Sequence, residues 1–236
     1  PYARLRRLRG DKVAYIFQDP LSTLHPLYRV GDQLGEAIRV HHAVSKPEAR
    51  ARAIALLKDV RIPNPERRID AYPHELSGGM RQRIGIAMAL ANEPELIIAD
   101  EPTTALDVTV QAQILALLDD LRRERGLAIL FITHDFGVVA QLCDRVAVMY
   151  AGRIVEEGPT AAILDAPAHP YTRRLMACVP ELGGGQRELA AIPGLPPAMD
   201  RLPDGCAFAP RCEKARADCR AGEVAMTRAG RRAVRC

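Results

Sequence analysis

Two short segments, twenty residues apart, constrain this chain more than anything else in it: Leu76-Ser77-Gly78-Gly79-Met80 and Leu96-Ile97-Ile98-Ala99-Asp100-Glu101. The first reads as a small glycine-rich loop opening a helix from Arg81 to Ala91. Its two glycines let a phosphate approach the backbone, and the helix N-terminus presents free N–H groups to it. The second is an apolar run ending in two carboxylates. It reads as a buried strand with a metal-binding aspartate and a catalytic carboxylate at its C-terminal edge, where α/β sheets bind ligands. Either motif alone is weak; the order and spacing of the pair carry the argument.

The bulk properties bound the rest. The 236 residues suffice for one large or two modest domains, and 48% are apolar, enough for a substantial core. A net charge of +4 gives no electrostatic argument for a nucleic-acid partner, and none is expected. No apolar stretch approaches the roughly 18 residues that span a bilayer, and no signal-peptide pattern precedes the first motif. A soluble, cytosolic protein able to dock on a membrane protein is expected. The six cysteines are then not expected to form structural disulfides. The chain begins at Pro1 in a basic segment (Arg4, Arg6, Arg7, Arg9), and none of its four lysines follows a glycine. It therefore holds no G-x-x-x-x-G-K-[ST] phosphate loop and reads as truncated at the N-terminus.

Along the chain, Val13–Phe17 reads as a strand ending at Gln18 and broken by Asp19-Pro20. Helices are predicted over 30–41, 46–60 and 80–91, separated by proline-containing turns at 63–65 and 72–73. Strand character returns at 96–99. An amphipathic helix over 108–123 ends at Gly126, a C′ glycine. A strand over 127–132, a helix over 136–143, a strand over 145–150, a turn at Ala151-Gly152 and a strand over 153–156 follow. The alternation predicts a mostly parallel sheet with covered faces. Beyond about Asp165 prolines crowd in, Gly183-Gly184-Gly185 reads as a flexible joint, and four cysteines cluster after Cys206. This tail reads as a separate small module with little regular structure.

Within this frame Asp100 is placed to hold Mg²⁺, directly or through water. Glu101 leaves the strand in a different direction; the pair suits metal binding and water activation or, as the alternative, a helix cap or a surface ion pair. His134 ends an apolar strand, where it serves either a site at that strand end or, as the alternative, the core as a satisfied histidine. Asp107 is placed to cap the helix that begins at Val108.

Taken in order, Gln18, Leu76–Met80, Asp100-Glu101, Asp107 and His134 resemble the Q-loop, signature loop, Walker B strand, D-loop and H-loop of ABC-type ATPases. The resemblance covers 13–165 and lacks the N-terminal part that carries Walker A. Narrower features are similar to the ATPase subunits of oligopeptide/dipeptide (peptide/nickel branch) importers. They are Ser77-Gly78-Gly79-Met80, the run from Ala99 to Gln111, Met149–Arg153, His169-Pro170-Tyr171-Thr172, Ile192–Pro197 and Gly205–Cys212.

The resemblance implies an α/β P-loop NTPase core (1–165), with a helical subdomain at about 19–92 and an incomplete N-terminus. A Cys/Pro-rich C-terminal module (166–236) follows. Because strands of the family fold would precede Pro1, an apolar sheet face is expected to lie exposed. It also implies an ATP- and Mg²⁺-dependent ATPase as full-length protein, inactive as these 236 residues alone. Glu101, His134 and Gln18 would be catalytic, and Asp100 would hold Mg²⁺. Ser77, Gly78, Gly79, Met80 and Asp107 would serve nucleotide binding across a dimer. The implied partners are a second ATPase subunit, identical or not, two transmembrane permeases and, indirectly, an extracellular solute-binding protein. The implied location is the cytoplasmic face of the membrane. DNA-repair and chromosome-organising ATPases share the signature loop and Walker B, but the sustained heptads of their coiled coils are missing here. The cargo is not legible.

Cys206, Cys212, Cys219 and Cys236 are spaced C-x5-C-x6-C-x16-C. A small proline-rich module often needs a staple, and four thiolates suit Zn²⁺ or an iron–sulfur cluster. The absence of C-x2-C knuckles favours the cluster over zinc, and the resemblance implies a [4Fe–4S] centre. Cys143 and Cys178 are expected to be ordinary buried thiols.

Overall fold

In the computed structural model, which describes residues 5, 8–19, 23–104, 106–178 and 191–236, the apolar run at 96–100 is the middle strand of three. Strands β1 (Val13–Ile16), β2 (Leu96–Asp100) and β3 (Ala128–Ile132) are parallel in that order. Val13 pairs with Leu96 and Leu96 with Ala128. Parallel neighbours need long crossovers. The first runs through helices α1 (Val30–His41), α2 (Lys46–Asp59), the short α3 (Pro65–Arg68) and α4 (Gly78–Leu90). The second is α5 (Val108–Arg125). Helix bounds agree with the sequence pattern to within two residues, except that α4 starts earlier: Gly78 and Gly79 form its first turn and not a preceding loop.

Local chemistry explains these elements. Ser45 caps α2 by accepting from the Glu48 N–H, and Asp107 caps α5 by accepting from the Val110 N–H at 2.9 Å. Gly126 closes α5 with φ +63°, the left-handed conformation that a C′ residue needs. In α1, Val30, Leu34 and Ile38 recur at helical spacing and are fully buried. They join Ile84, Leu90, Ile114, Leu117 and Leu118 in one core against Ala14, Ile16, Ile97 and Ala99 of the sheet.

That core covers one sheet face. On the other, Tyr15 is 39%, Leu130 53% and Ile132 43% exposed. The sheet with both faces covered that strand–helix alternation predicts is thus covered on one side, and the exposed apolar face expected from the family comparison is present. Among the described residues, β3 has no strand on its outer edge.

The chain divides into two compact units, 1–134 and 135–236. The second holds α6 (Phe136–Leu142), β4 (Arg145–Tyr150), β5 (Arg153–Pro159), α7 (Thr160–Asp165), α8 (Pro170–Ala177), β6 (Thr227–Ala229) and β7 (Arg232–Val234). Its sheet runs β4-β5-β7-β6 and its pairings are antiparallel, unlike the mostly parallel sheet that was expected. The β4–β5 hairpin turns on Ala151 and Gly152, both at positive φ, as a type I′ turn requires. The end of the tail joins this sheet: β7 pairs with β5, Glu156 opposite Val234. Residues Gly183–Gly185, read as a joint, lie outside the described residues.

The tail motifs fasten this unit. Phe208 is 1% exposed and its ring meets those of Tyr150 and Tyr171, each at 5.4 Å between centroids. Arg211 donates to the Ile192 and Pro193 carbonyls and to the Tyr150 hydroxyl, tying three of the sequence segments noted above to one guanidinium. Glu156 is fully buried. It accepts from the Ala168 and His169 N–H groups and pairs with Arg232. Burial works to raise its carboxyl, but Arg232 and the two N–H groups hold it below the usual range.

One-sided cover has a measurable consequence. Ile97→Ala, on the buried face, is expected to destabilise by about 2–5 kcal/mol. Leu130→Ala, on the open face, should stay within about 0.5 kcal/mol. Urea unfolding of both variants tests this; equal losses would mean that the open face is packed in solution.

Candidate functional site

The C-terminal ends of the three parallel strands bring Gln18, Asp100, Glu101 and His134 together. Gln18 follows β1, Asp100 ends β2, Glu101 is the next residue, and His134 lies two residues past β3. Glu101 turns sharply, with φ +43°, a region that non-glycine residues rarely occupy. Its N–H donates to the Ile132 carbonyl at 2.9 Å, which holds the turn against β3. A strand sends consecutive side chains to opposite faces. The left-handed residue breaks that alternation, and two adjacent carboxylates serve one edge.

The Glu101 carboxylate is surrounded by donors. Gln18 Nε2 donates to Oε2 at 2.9 Å, Thr104 Oγ1 donates to the same oxygen at 2.8 Å, and His134 Nδ1 lies 3.1 Å from Oε1. An ionised carboxylate only accepts, so His134 carries its hydrogen on Nδ1 and leaves Nε2 for another partner. The hydrogen bond from Thr104, then that from His134, holds the Glu101 carboxyl below the usual glutamate range. Beside it, Asp100 Oδ2 accepts from the Tyr15 hydroxyl at 2.5 Å. Among the described residues Asp100 Oδ1 has no partner. A free carboxylate oxygen at a strand end is the hard donor that Mg²⁺ takes, directly or through its water shell, so the residues present fit that ion.

The glycine segment forms a second cluster. Ser77 caps α4 by accepting from the Met80 N–H at 3.3 Å. Among the described residues the Gly78 and Gly79 amides have no acceptor, as expected for a first helical turn. A Cβ on Gly79 would lie 2.7 Å from Val110 Cγ1, so glycine is needed for α4 to approach the start of α5. Among the described residues no hydrogen bond joins Ser77–Met80 to Gln18, Asp100, Glu101 or His134. The link is indirect: Gln82, 2% exposed, donates to the Pro102 carbonyl at 2.7 Å, just past Glu101.

Three of these residues escaped the sequence reading. Thr104 lies one turn beyond Glu101 and its N–H bonds to the Glu101 carbonyl, a geometry hinted at only by the Pro102 turn. Gln82 and Tyr15 gave no sequence signal, since only the packing of α4 and the β1–β2 register bring them here.

The four tail cysteines are free and partly exposed, Cys236 the most. The Cys206 N–H donates to the Cys219 carbonyl at 2.8 Å. Burial, then the Cys206, Cys219 and Cys212 sulfurs, push the Cys236 thiol up. Among the described residues, however, no three Cys, His, Asp or Glu side chains converge as ligands to one metal ion. Cys143 and Cys178 are half-buried and not the buried thiols expected.

Comparison with known proteins decides the family. Residues 3–104 match the ABC transporter family model, and residues 155–219 match that of the oligopeptide/dipeptide transporter C-terminal region. A peptide import ATP-binding protein of Brucella abortus is 51% identical over 234 residues, 99% of this chain and 70% of the relative. The chain belongs to the ABC transporter ATPase family. A peptide ABC transporter ATP-binding protein of Sinorhizobium fredii is 55% identical over 92% of this chain and 65% of its own length. Among solved structures, a dimeric ATP-binding cassette in a post-hydrolysis state bound to ADP and Pi is 33% identical. It has a TM-score of 0.60 and the match covers 68% of each chain. An ABC ATPase fold accounts for parallel strands whose ends carry the carboxylates. No described helix is long and apolar enough to cross a membrane.

Thr104→Val removes the largest cause of the Glu101 shift. The Glu101 carboxyl should then titrate at higher pH, closer to an ordinary glutamate, as followed by carboxyl ¹³C NMR. An unmoved titration would show that His134 and Gln18 suffice.

Proposed function

We propose that this chain is the ATP-binding and hydrolysing subunit of an ABC importer of peptides or related solutes. The observation that carries the site reading is Glu101, kept ionised by Thr104 and His134 and bonded by Gln18, next to Asp100 with a free oxygen among the described residues. An ionised carboxylate at a strand end is suited to accept a proton from a water attacking a γ-phosphate. His134 Nε2 is free to face that phosphate while Nδ1 holds Glu101 in place. Asp100 would hold Mg²⁺, which when bound neutralises charge between the β- and γ-phosphates.

The open Gly78 and Gly79 amides at the start of α4 can donate to phosphate oxygens, helped by the helix dipole. Because Ser77–Met80 has no direct bond to the Glu101 cluster, we assign it to the nucleotide of a second ATPase subunit. Each ATP is then sandwiched between two chains, with Asp107 and its loop at the junction. Closure occurs when the phosphate charge is present, a ligand-biased two-state element. It is passed through Gln18 and the helices of the first crossover to two permease subunits, which receive cargo from an external binding protein. That assembly places the chain on the cytoplasmic face of the membrane. The peptide cargo rests on the names of the relatives and on the match of the tail to the transporter C-terminal region.

Glu101→Gln, introduced into ATPase preparations that turn over ATP, should lower turnover at least about a hundredfold while nucleotide binding persists. Steady-state hydrolysis with a parallel nucleotide-binding assay checks this. Near-normal turnover would make Glu101 structural.

For the tail, we propose a polynuclear iron–sulfur centre on Cys206, Cys212, Cys219 and Cys236, with zinc as the alternative; the spacing without C-x2-C knuckles supports the cluster. A single zinc with bonds of about 2.3 Å draws its sulfurs to within about 4 Å of one another. Anaerobic purification should give about four iron and four sulfide per chain. One zinc, or no metal, would overturn this.

A further inference from the structure

We propose that Tyr15 is a positioning residue for the Mg²⁺ site: its phenol fixes Asp100 so that Oδ1 faces the metal. The proposal rests on the reading of Asp100 as the metal carboxylate.

The register supplies the argument. Tyr15 on β1 pairs with Ile98 on β2, and Asp100 lies two residues further along the same face. Two strand residues span about 6.6 Å, a gap that a tyrosine side chain running along the sheet bridges. Its hydroxyl reaches Asp100 Oδ2 at 2.5 Å, the short range of a bond to an ionised acceptor. The ring is steadied by Phe17, 4.6 Å away between centroids and tilted by 46°. No Lys or Arg pairs with Asp100 among the described residues, so the phenol is the one described side chain that orients it. Without that bond the carboxylate rotates about its terminal torsion, a broad and roughly two-fold well, and either oxygen can turn away from the metal. The hydroxyl also occupies the oxygen that Mg²⁺ is not meant to take. A carboxylate held by one donor presents a single oxygen to the ion, which suits the strict octahedral geometry of Mg²⁺.

The partner that supports a metal ligand typically changes metal affinity or activity 10–100-fold when removed. Tyr15→Phe in ATPase preparations that turn over ATP should raise the Mg²⁺ concentration for half-maximal turnover by about tenfold. Turnover at saturating Mg²⁺, and nucleotide binding without metal, should stay near wild type. Mn²⁺ affinity measured by EPR with a non-hydrolysable ATP analogue supplies a readout independent of turnover and should weaken by a similar factor. Phe17→Leu, which loosens the ring but keeps the phenol, should move the metal dependence less than Tyr15→Phe. Asp100→Asn separates the two ideas. If it leaves Mn²⁺ affinity unchanged, the reading of Asp100 fails. If it abolishes Mn²⁺ binding while Tyr15→Phe leaves affinity unchanged, the role of Tyr15 alone is overturned. An equal fall in turnover at every Mg²⁺ concentration would also overturn it, because that pattern marks a packing role.

Discussion

The left-handed turn at Glu101 is the constraint on which the site depends. A non-glycine residue at φ +43° costs on the order of 1 kcal/mol or more and persists only where its surroundings enforce it. Here the enforcement is explicit. The Glu101 N–H is bonded to the Ile132 carbonyl, Thr104 closes the turn from below, and Gln82 holds the next residue, Pro102, by its carbonyl. Each of these partners belongs to a different element: β3, the turn itself and α4. The turn thus forms only when the parallel sheet and the helical crossover are both in place. Aiming two carboxylates at one edge is the structural return for that cost.

The same dependence explains the glycines. Gly79 permits the start of α4 to sit on Val110, and that contact lets Gln82, one turn later, reach the loop past β2. A residue placed by sequence in an anion-binding role thus has a packing role as well, and the two are compatible. Among the described residues the amides of the first turn have no acceptor. The close approach of α4 to α5 fixes where they point.

How much of this was legible in the sequence follows from the range of each interaction. Caps are local, so Asp107 and Gly126 could be read from a few residues, and both hold. The parallel strands were legible because apolar runs flank a helix of the right length. The contribution of Tyr15 was not, because it depends on the β1–β2 register, which pairs positions 83 residues apart. The antiparallel sheet of the second unit was missed for a related reason. Its strand β7 is only three residues long and comes from the end of a proline-rich tail, with no periodicity to announce it. The proposed metal centre was the reading most exposed to this limit: spacing can name four cysteines, but only tertiary pairing brings their sulfurs near one another.

One buried charge helps to fix that pairing. Cys236 follows Arg235, whose N–H donates to the Val155 carbonyl at 2.8 Å, and β7 is held to β5 by only two paired positions. So short a strand is weakly specified by backbone bonds alone. Arg232 supplies the rest by entering the buried pair with Glu156 and bonding the Ala166 carbonyl. Glu156 in turn accepts the N–H groups at the start of the His169-Pro170-Tyr171-Thr172 helix, with His169 itself as the cap. Removing one member of a buried pair strands the other charge and costs about 3–5 kcal/mol. A two-residue pairing cannot offset that loss. Glu156 therefore shares the hold on the strand leading to Cys236 with Arg235, whose guanidinium donates to the Ile154 and Val224 carbonyls. The tail motifs and the cysteine cluster form one cooperative unit, and a cluster bound there would in turn stabilise the strand that carries its last ligand.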